Sequence, residues 1–293
     1  MQSVNVNGVD LEYEVIGAGE PVLLVHPIIA DGFLPLVRER ALADRYQLIR
    51  YHKRGWLGST HTPPPVSIAD HVADAAALLD HLGVRPAHVA GHSSGAAVAA
   101  QLALDHPEYV HTLMLLEPSL ISVPSLAAFF EQVEPAFEAY ASGDHATALA
   151  IFMSAVGGVE WTKARALLEH SLPGAVKQAI GDADTFFGIE LPALTEWVFG
   201  AEQAAKLDLP VLSVVGSKTQ PVWVEVAEFL RSALPQVEQC TIDGAGHLLQ
   251  IQSPEAVARA MAEFLGRHPI DDDGLEALER PQPIRVASAT VTR

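Results

Sequence analysis

The sequence predicts an α/β protein: a mostly parallel sheet of eight strands, helices on both faces, and a helical block inserted after the sixth strand. Three observations predict it. Short apolar, strand-like runs alternate with amphipathic helical segments from the start to about residue 119 and again from about 208 to 267, the alternation that builds parallel sheets. "PVLLVH" (21–26) is apolar almost throughout, as expected of a strand covered on both faces. Between about 120 and 207 the alternation stops, and a stretch rich in Ala, Phe and Glu shows no strand-like run.

The elements follow in order. Val4 and Val6 alternate with polar residues, "NG" at Asn7–Gly8 turns the chain, and "LEYEVI" alternates again, so the start reads as a hairpin. "PVLLVH" and "YQLIRY" (46–51) are the third and fourth strands, and "TPPPV" (62–66) is a stiff loop. Ser67, with Asp70 three residues on, signals a capped helix over "ADHVADAAALLDHL", which Gly83 ends. "AHVAG" (87–91) is a short strand, Gly95 to His106 a helix stopped by Pro107, and "LMLLE" (113–117) the sixth strand. After the insertion come strand "LPVLSVVG" (209–216), helix 221–234, strand "VEQCTI" (237–242), and a helix over 253–265 with Ser253 as its cap. Three parts result: a core formed by 1–119 and 208–267, a helical cap at 120–207, and an extension at 268–293 that reads as flexible.

Composition narrows the partners. The chain has 293 residues and a net charge of −18, which disfavours nucleic acid and anionic membrane surfaces. At 49% hydrophobic it can bury a large core. Its single cysteine, Cys240, lies in an alternating run and reads as a buried structural thiol. The first residues carry neither a basic start nor an apolar h-region, and no apolar run is long enough to span a bilayer. The cytoplasm is the expected location, and a homo-oligomer is compatible with the composition.

The chemistry centres on "HVAGHSSGAAVAA", where Gly91-x-Ser93-x-Gly95 falls between a predicted strand and a predicted helix. In that context the pentapeptide reads as a nucleophile elbow: a sharp turn holds the hydroxyl clear of the sheet, and the glycines allow close packing. A serine nucleophile needs a base. Of thirteen histidines, His247 in "IDGAGHLLQIQSPE" stands in a small-residue loop between the last strand and last helix, completing the chain order serine, acid, histidine. An oxyanion hole needs two N–H donors: one is expected from Ser94, the other from Ile28, because Pro27 has no N–H. His26 reads as a loop-shaping residue. No metal-ligand spacing is present, so neither a metal site nor a cofactor is expected.

The pattern resembles the α/β-hydrolase superfamily over about residues 10–267. "YHKRGWLGS" (51–59) is similar to that family's Arg-Gly-x-x-Gly-Ser stretch, with His52 where an aspartate is usual, and "LLDHLGV" precedes the elbow strand. The resemblance implies a triad acid after the seventh strand, but "VVGSKTQPVW" offers Thr219 in that slot. Loss of the acid in such a triad can cost about 10⁴ in turnover. Glu117, at the end of the sixth strand, is the candidate replacement. Some family members, the zearalenone-lactone hydrolases among them, place the acid there, and "GHSSGAAV", "LLEPS" and "VGSKTQP" resemble that subgroup. Asp243, four residues before His247, is a rival, and a water-bridged or absent acid stays open, as does a purely structural Glu117 that binds a loop.

The insertion would lie over Ser93 as a lid. Of its aromatics, Trp161, Phe187 and Trp197 are the candidates for substrate contact, and Gly157–Gly158 reads as a turn. The expected activity is that of a serine hydrolase acting on a small apolar ester or lactone through an acyl-enzyme. Carbon–carbon bond hydrolysis or perhydrolysis on the same residues, or a catalytically weak binding or sensor protein, are the alternatives.

Overall fold

A computed structural model describes residues 1–119 and 123–270. All eight strands are present: β1 (Gln2–Val6), β2 (Val9–Ile16), β3 (Glu20–Val25), β4 (Tyr46–Tyr51), β5 (Ala87–His92), β6 (Val110–Leu116), β7 (Val211–Gly216) and β8 (Glu238–Ile242). They form one sheet in the order β1-β2-β4-β3-β5-β6-β7-β8. β2 runs antiparallel to β1 and β4, and every other pairing is parallel. Asn7 and Gly8 both have positive φ (49° and 76°), the backbone that a two-residue hairpin turn requires.

Sequence alternation decides which core each strand feeds. Along β3, Leu23 and Val25 pack with Ile49, Val89 and Leu113 on one face. Val22 and Leu24 pack with Leu48, Ala90 and Met114 on the other. This is the period-two rule of a pleated strand covered on both sides. Helix Ile68–Leu82 closes the first face, its N-terminus fixed by the predicted capping box of Ser67 and Asp70 and its end by Gly83 at φ 67°. Helix Pro254–Arg267 closes the second. Ser253 makes no side-chain cap there; Pro254 in the first turn starts the helix, its fixed φ suiting a position whose N–H needs no intrahelical partner. Cys240 is half-buried rather than buried, because β8 alternates between partly covered and exposed positions. Among the described residues no helix is long and apolar enough to cross a membrane.

The order reversal lies at β3, whose neighbours are β4 on one side and β5 on the other. In doubly wound sheets the crevice for ligands opens at the carboxyl ends of the strands at such a point. The loop after β3 and the turn after β5 both end on this rim. Between β6 and β7 the described chain is helical: Leu126–Ala141, His145–Gly157, Trp161–Ser171, Ala175–Gly181, a π-helical turn at Phe186–Glu190, and Leu191–Glu196. Gly158, with φ 61°, is the left-handed cap that turns the chain after the second of these. Residues 120–122 of the expected cap and 271–293 of the expected extension lie outside the described residues.

A buried ion pair ties this helical segment to the core. Lys53, just after β4, donates from Nζ to Glu190 Oε2 at 2.7 Å, and Trp56 Nε1–H donates to the same oxygen at 3.0 Å. Both charged side chains are almost fully buried. Burial lowers the Lys53 pKa. Burial alone would raise that of Glu190, but the charges of Lys53 and His71 and the Lys53 hydrogen bond outweigh it and hold the carboxyl below its usual range.

Candidate active site

Ser93 sits between β5 and helix Ser94–Asp105 with φ 54° and ψ −120°, a backbone that non-glycine residues rarely adopt. The two glycines of the motif are required by space. A Cβ on Gly91 would lie 2.5 Å from Ala96 Cα, and one on Gly95 2.1 Å from the Val25 carbonyl oxygen. The turn is therefore pressed between its own helix and the end of β3.

Glu117 follows directly after β6 and also has a positive φ, 41°. Its carboxylate is buried and accepts three hydrogen bonds. The Gly216 N–H donates to Oε1 at 2.7 Å, the Thr219 hydroxyl to Oε2 at 2.8 Å, and His247 Nδ1–H to Oε2 at 2.7 Å. On the far side of the imidazole, Nε2 lies 3.0 Å from Ser93 Oγ. With Nδ1–H committed to the carboxylate, the neutral ring presents a lone pair at Nε2, so the Ser93 hydroxyl donates to it. The structure thus brings Glu117, His247 and Ser93 into one continuous chain of hydrogen bonds. Asp243 does not join it: its carboxylate accepts from the Ser217 hydroxyl at 3.1 Å. Thr219, in the slot where an aspartate was sought, donates to the displaced carboxylate.

Two buried histidines brace the loops around this chain. His92 Nε2–H donates to the His247 carbonyl at 2.8 Å, and its Nδ1 accepts from Gln250 Nε2 at 2.8 Å. Burial, with the neighbouring His247, holds His92 well below the usual histidine range and therefore neutral. His26 accepts the Lys53 backbone N–H at Nε2 (2.9 Å), so its Nδ1–H donates to the Pro27 carbonyl at 2.6 Å. That carbonyl belongs to the same planar peptide as the Ile28 N–H. His26 is thus the loop-shaping residue expected, held neutral by burial and then by Lys53. His52 bridges Glu12 and Asp31, away from Ser93.

Ile28, Ser93, Ser94 and His247 line one cavity of about 40 Å³. Its walls are otherwise largely apolar: Phe129, Phe137, Phe152 and Phe186 from the helical segment, with Trp223 and Leu248 from the core. Ser119 adds a hydroxyl 2.9 Å from Ser93 Oγ. None of the three aromatics expected at the substrate lines this cavity. Trp161 borders an open surface groove with Gln132 and Lys163. Trp197 donates its indole N–H to Gln101 at 2.9 Å and stacks on Phe199. Phe187 is buried behind the wall, stacked on Tyr140. The reason is rotational: the π-helical turn presents Phe186 to the cavity and its neighbour Phe187 to the helices behind. Sequence reasoning also missed Ser119, Gln250, Glu190 and Trp223. Only Trp223 left a usable signal, as a tryptophan in the first turn of the helix that leaves the rim after β7.

The chain is similar to known proteins over most of its length. A protein of Azorhizobium caulinodans named "Putative carbamate hydrolase RutD" is 26% identical over 264 residues, covering 88% of this chain and 95% of its own. A thermophilic esterase from Thermogutta terrifontis superposes with a TM-score of 0.75 at 22% identity, covering 92% of this chain and all of that one. The enol-lactonase of Burkholderia xenovorans superposes with a TM-score of 0.74 at 18% identity, covering 90% of this chain and all of that one. At these identities the two structures speak for the fold alone. A family model described as alpha/beta hydrolase fold matches residues 20–254, most of the chain, and the protein belongs to that family.

Proposed function

We propose that the protein is a serine hydrolase that cleaves a carboxylic ester or lactone of a small, apolar molecule. The observation that carries this reading is the unbroken chain Glu117–His247–Ser93, opening on an apolar cavity. Ser93 Oγ attacks the carbonyl carbon while its proton passes to His247 Nε2. Glu117 faces the imidazolium that results and keeps Nδ1 turned toward itself. The Ile28 and Ser94 amides receive the oxyanion. The imidazolium then protonates the leaving alkoxide, the tetrahedral intermediate collapses to the acyl-enzyme, and a water activated by His247 releases the acid. In a lactone the alkoxide and the acid are parts of one product.

Three features support an ester or lactone over a charged substrate: among the described residues no cationic side chain lines the cavity, its walls are largely aromatic and aliphatic, and its polar groups cluster at Ser93. The relative named as a putative carbamate hydrolase is consistent with attack on an acyl carbon. The acid after β6 supports the likeness to the zearalenone-lactone hydrolases, and macrolactones therefore belong among the substrates to try.

The test has two stages. A fluorophosphonate probe should label wild-type protein and leave Ser93→Ala unlabelled. A panel of aryl esters, lactones and macrolactones should then show turnover that Ser93→Ala lacks. Labelling without turnover on any of them would replace this reading by that of a ligand-binding homologue.

A further inference from the structure

The Trp223 indole lies almost flat on the His247 imidazole, with ring centroids 3.8 Å apart and planes inclined by 28°. Nothing in the proton-transfer scheme uses this contact. Trp223 is itself fixed: it is 4% exposed, sits in the first turn of helix Pro221–Ala233, and meets Phe129 of the helical segment edge-on at 5.3 Å. A flat stack of two neutral rings is a weak preference, since offset and edge-on arrangements satisfy their quadrupoles better. A positive charge over the indole face is a much stronger one, and Trp is the best of the three aromatic side chains at it. The imidazole becomes positive once in each half of the proposed reaction.

We propose that Trp223 is a positioning residue that selectively stabilises the charged form of His247 through its π face. Two opposing effects could follow from an indole at this distance, and they differ in sign. As a plain hydrophobic cover it would desolvate the ring and disfavour the charge. As a π donor it favours the charge. The other groups facing the ring are Glu117 from β6, Ser93 from the elbow and His92 from β5. Of these only Glu117 and His92 titrate, and His92 is held neutral by burial. The nearby ring of the helical segment, Phe129, carries no charge. Removing the indole leaves those contributions in place and isolates its own.

The experiment is a pH titration of the His247 ring by nitrogen-15 NMR on the full chain, assigned by comparison with His247→Gln. The wild type is compared with Trp223→Phe, Trp223→Leu and, as a control outside the cavity, Trp161→Phe. The expected result is a midpoint lowered by about one pH unit in Trp223→Leu, by less in Trp223→Phe, and unchanged in Trp161→Phe. With an ester substrate, the acidic limb of kcat/KM should move the same way while the plateau rate falls. A midpoint that stays or rises on removing the indole overturns the inference, because that is the signature of a hydrophobic cover. If Trp223→Leu does not fold, the phenylalanine variant alone decides, since it keeps a ring in place with a weaker quadrupole. The catalytic consequence rests on the hydrolase reading, but the titration does not. A lowered midpoint without any hydrolysis would retain the inference and refute the proposed function; hydrolysis without a lowered midpoint would do the reverse.

Discussion

The sheet rim and the helical segment above it contribute opposite kinds of atoms to the same cavity. The rim supplies polar atoms, most of them paired: Glu117 with three donors, His247 with both ring nitrogens engaged, and His92 locked between Gln250 and the His247 carbonyl. The helices supply rings and aliphatic groups such as Phe129, Phe152 and Val156. The rim is held by hydrogen bonds to backbone groups at strand ends, so its geometry is tied to the sheet register. The helical segment is held by apolar packing and by polar ties to the core that include the buried Lys53–Glu190 pair, the Thr185 hydroxyl on the Gly55 carbonyl and the Asp182 carboxylate on the Leu57 N–H. The difference teaches that the polar chain at Ser93 and the apolar wall above it are held in place by different kinds of interaction.

The sharpest break of that comparison is at the rim. Ser93→Ala should lower kcat by about 10⁴-fold or more on any ester the wild type cleaves, with circular dichroism unchanged. Next in size is the tether. Lys53→Met leaves the Glu190 carboxylate buried without its counter-charge and should destabilise the fold by about 3–5 kcal/mol in urea unfolding. The double variant Lys53→Met/Glu190→Leu should recover most of that loss, since it leaves no lone buried charge. A double variant as unstable as the single would show that loss of the pair itself, and not a stranded charge, accounts for the instability. Within the helical segment, Phe152→Ala should raise KM by roughly tenfold through lost apolar contact, whereas Trp161→Ala on the outer groove should leave it near wild type. The smallest effect belongs to Thr219→Ala. It removes one of three donors to the Glu117 carboxylate and should lower kcat by roughly threefold to tenfold without changing KM.

The two regions also differ in how far the sequence announced them. The eight strands and their flanking helices were legible because each strand feeds two covered faces and each helix carries its own stop signals, as at Ser67 and Gly83. Ser93 and His247 were legible because their chemistry demands a local context, a strand–turn–helix and a small-residue loop. Glu117 was expected through an absence, the missing acid at Thr219, and its carboxylate lies 2.7 Å from His247 Nδ1. What the sequence did not announce was the hydroxyl of Thr219 turned onto Glu117, because a hydrogen bond between two loops depends on their register in three dimensions. The lining aromatics were misread for a similar reason. Phe186 and Phe187 are adjacent and chemically identical, and only the π-helical turn decides which one faces the cavity. Trp161 opens one helix and Trp197 follows another in extended backbone, and no periodicity in an apolar stretch could fix where either points.

The account stands on Glu117 serving His247 from the end of β6. The most direct test is the turnover of Glu117→Gln on an aryl ester that the wild type cleaves, with the fold checked by circular dichroism and Asp243→Asn measured alongside. Glutamine retains the shape but not the anion, so the variant should lose about 10⁴ in kcat while Asp243→Asn stays near wild type. A folded Glu117→Gln within a few-fold of wild type, or a collapse in Asp243→Asn instead, would contradict the account and place the acid elsewhere.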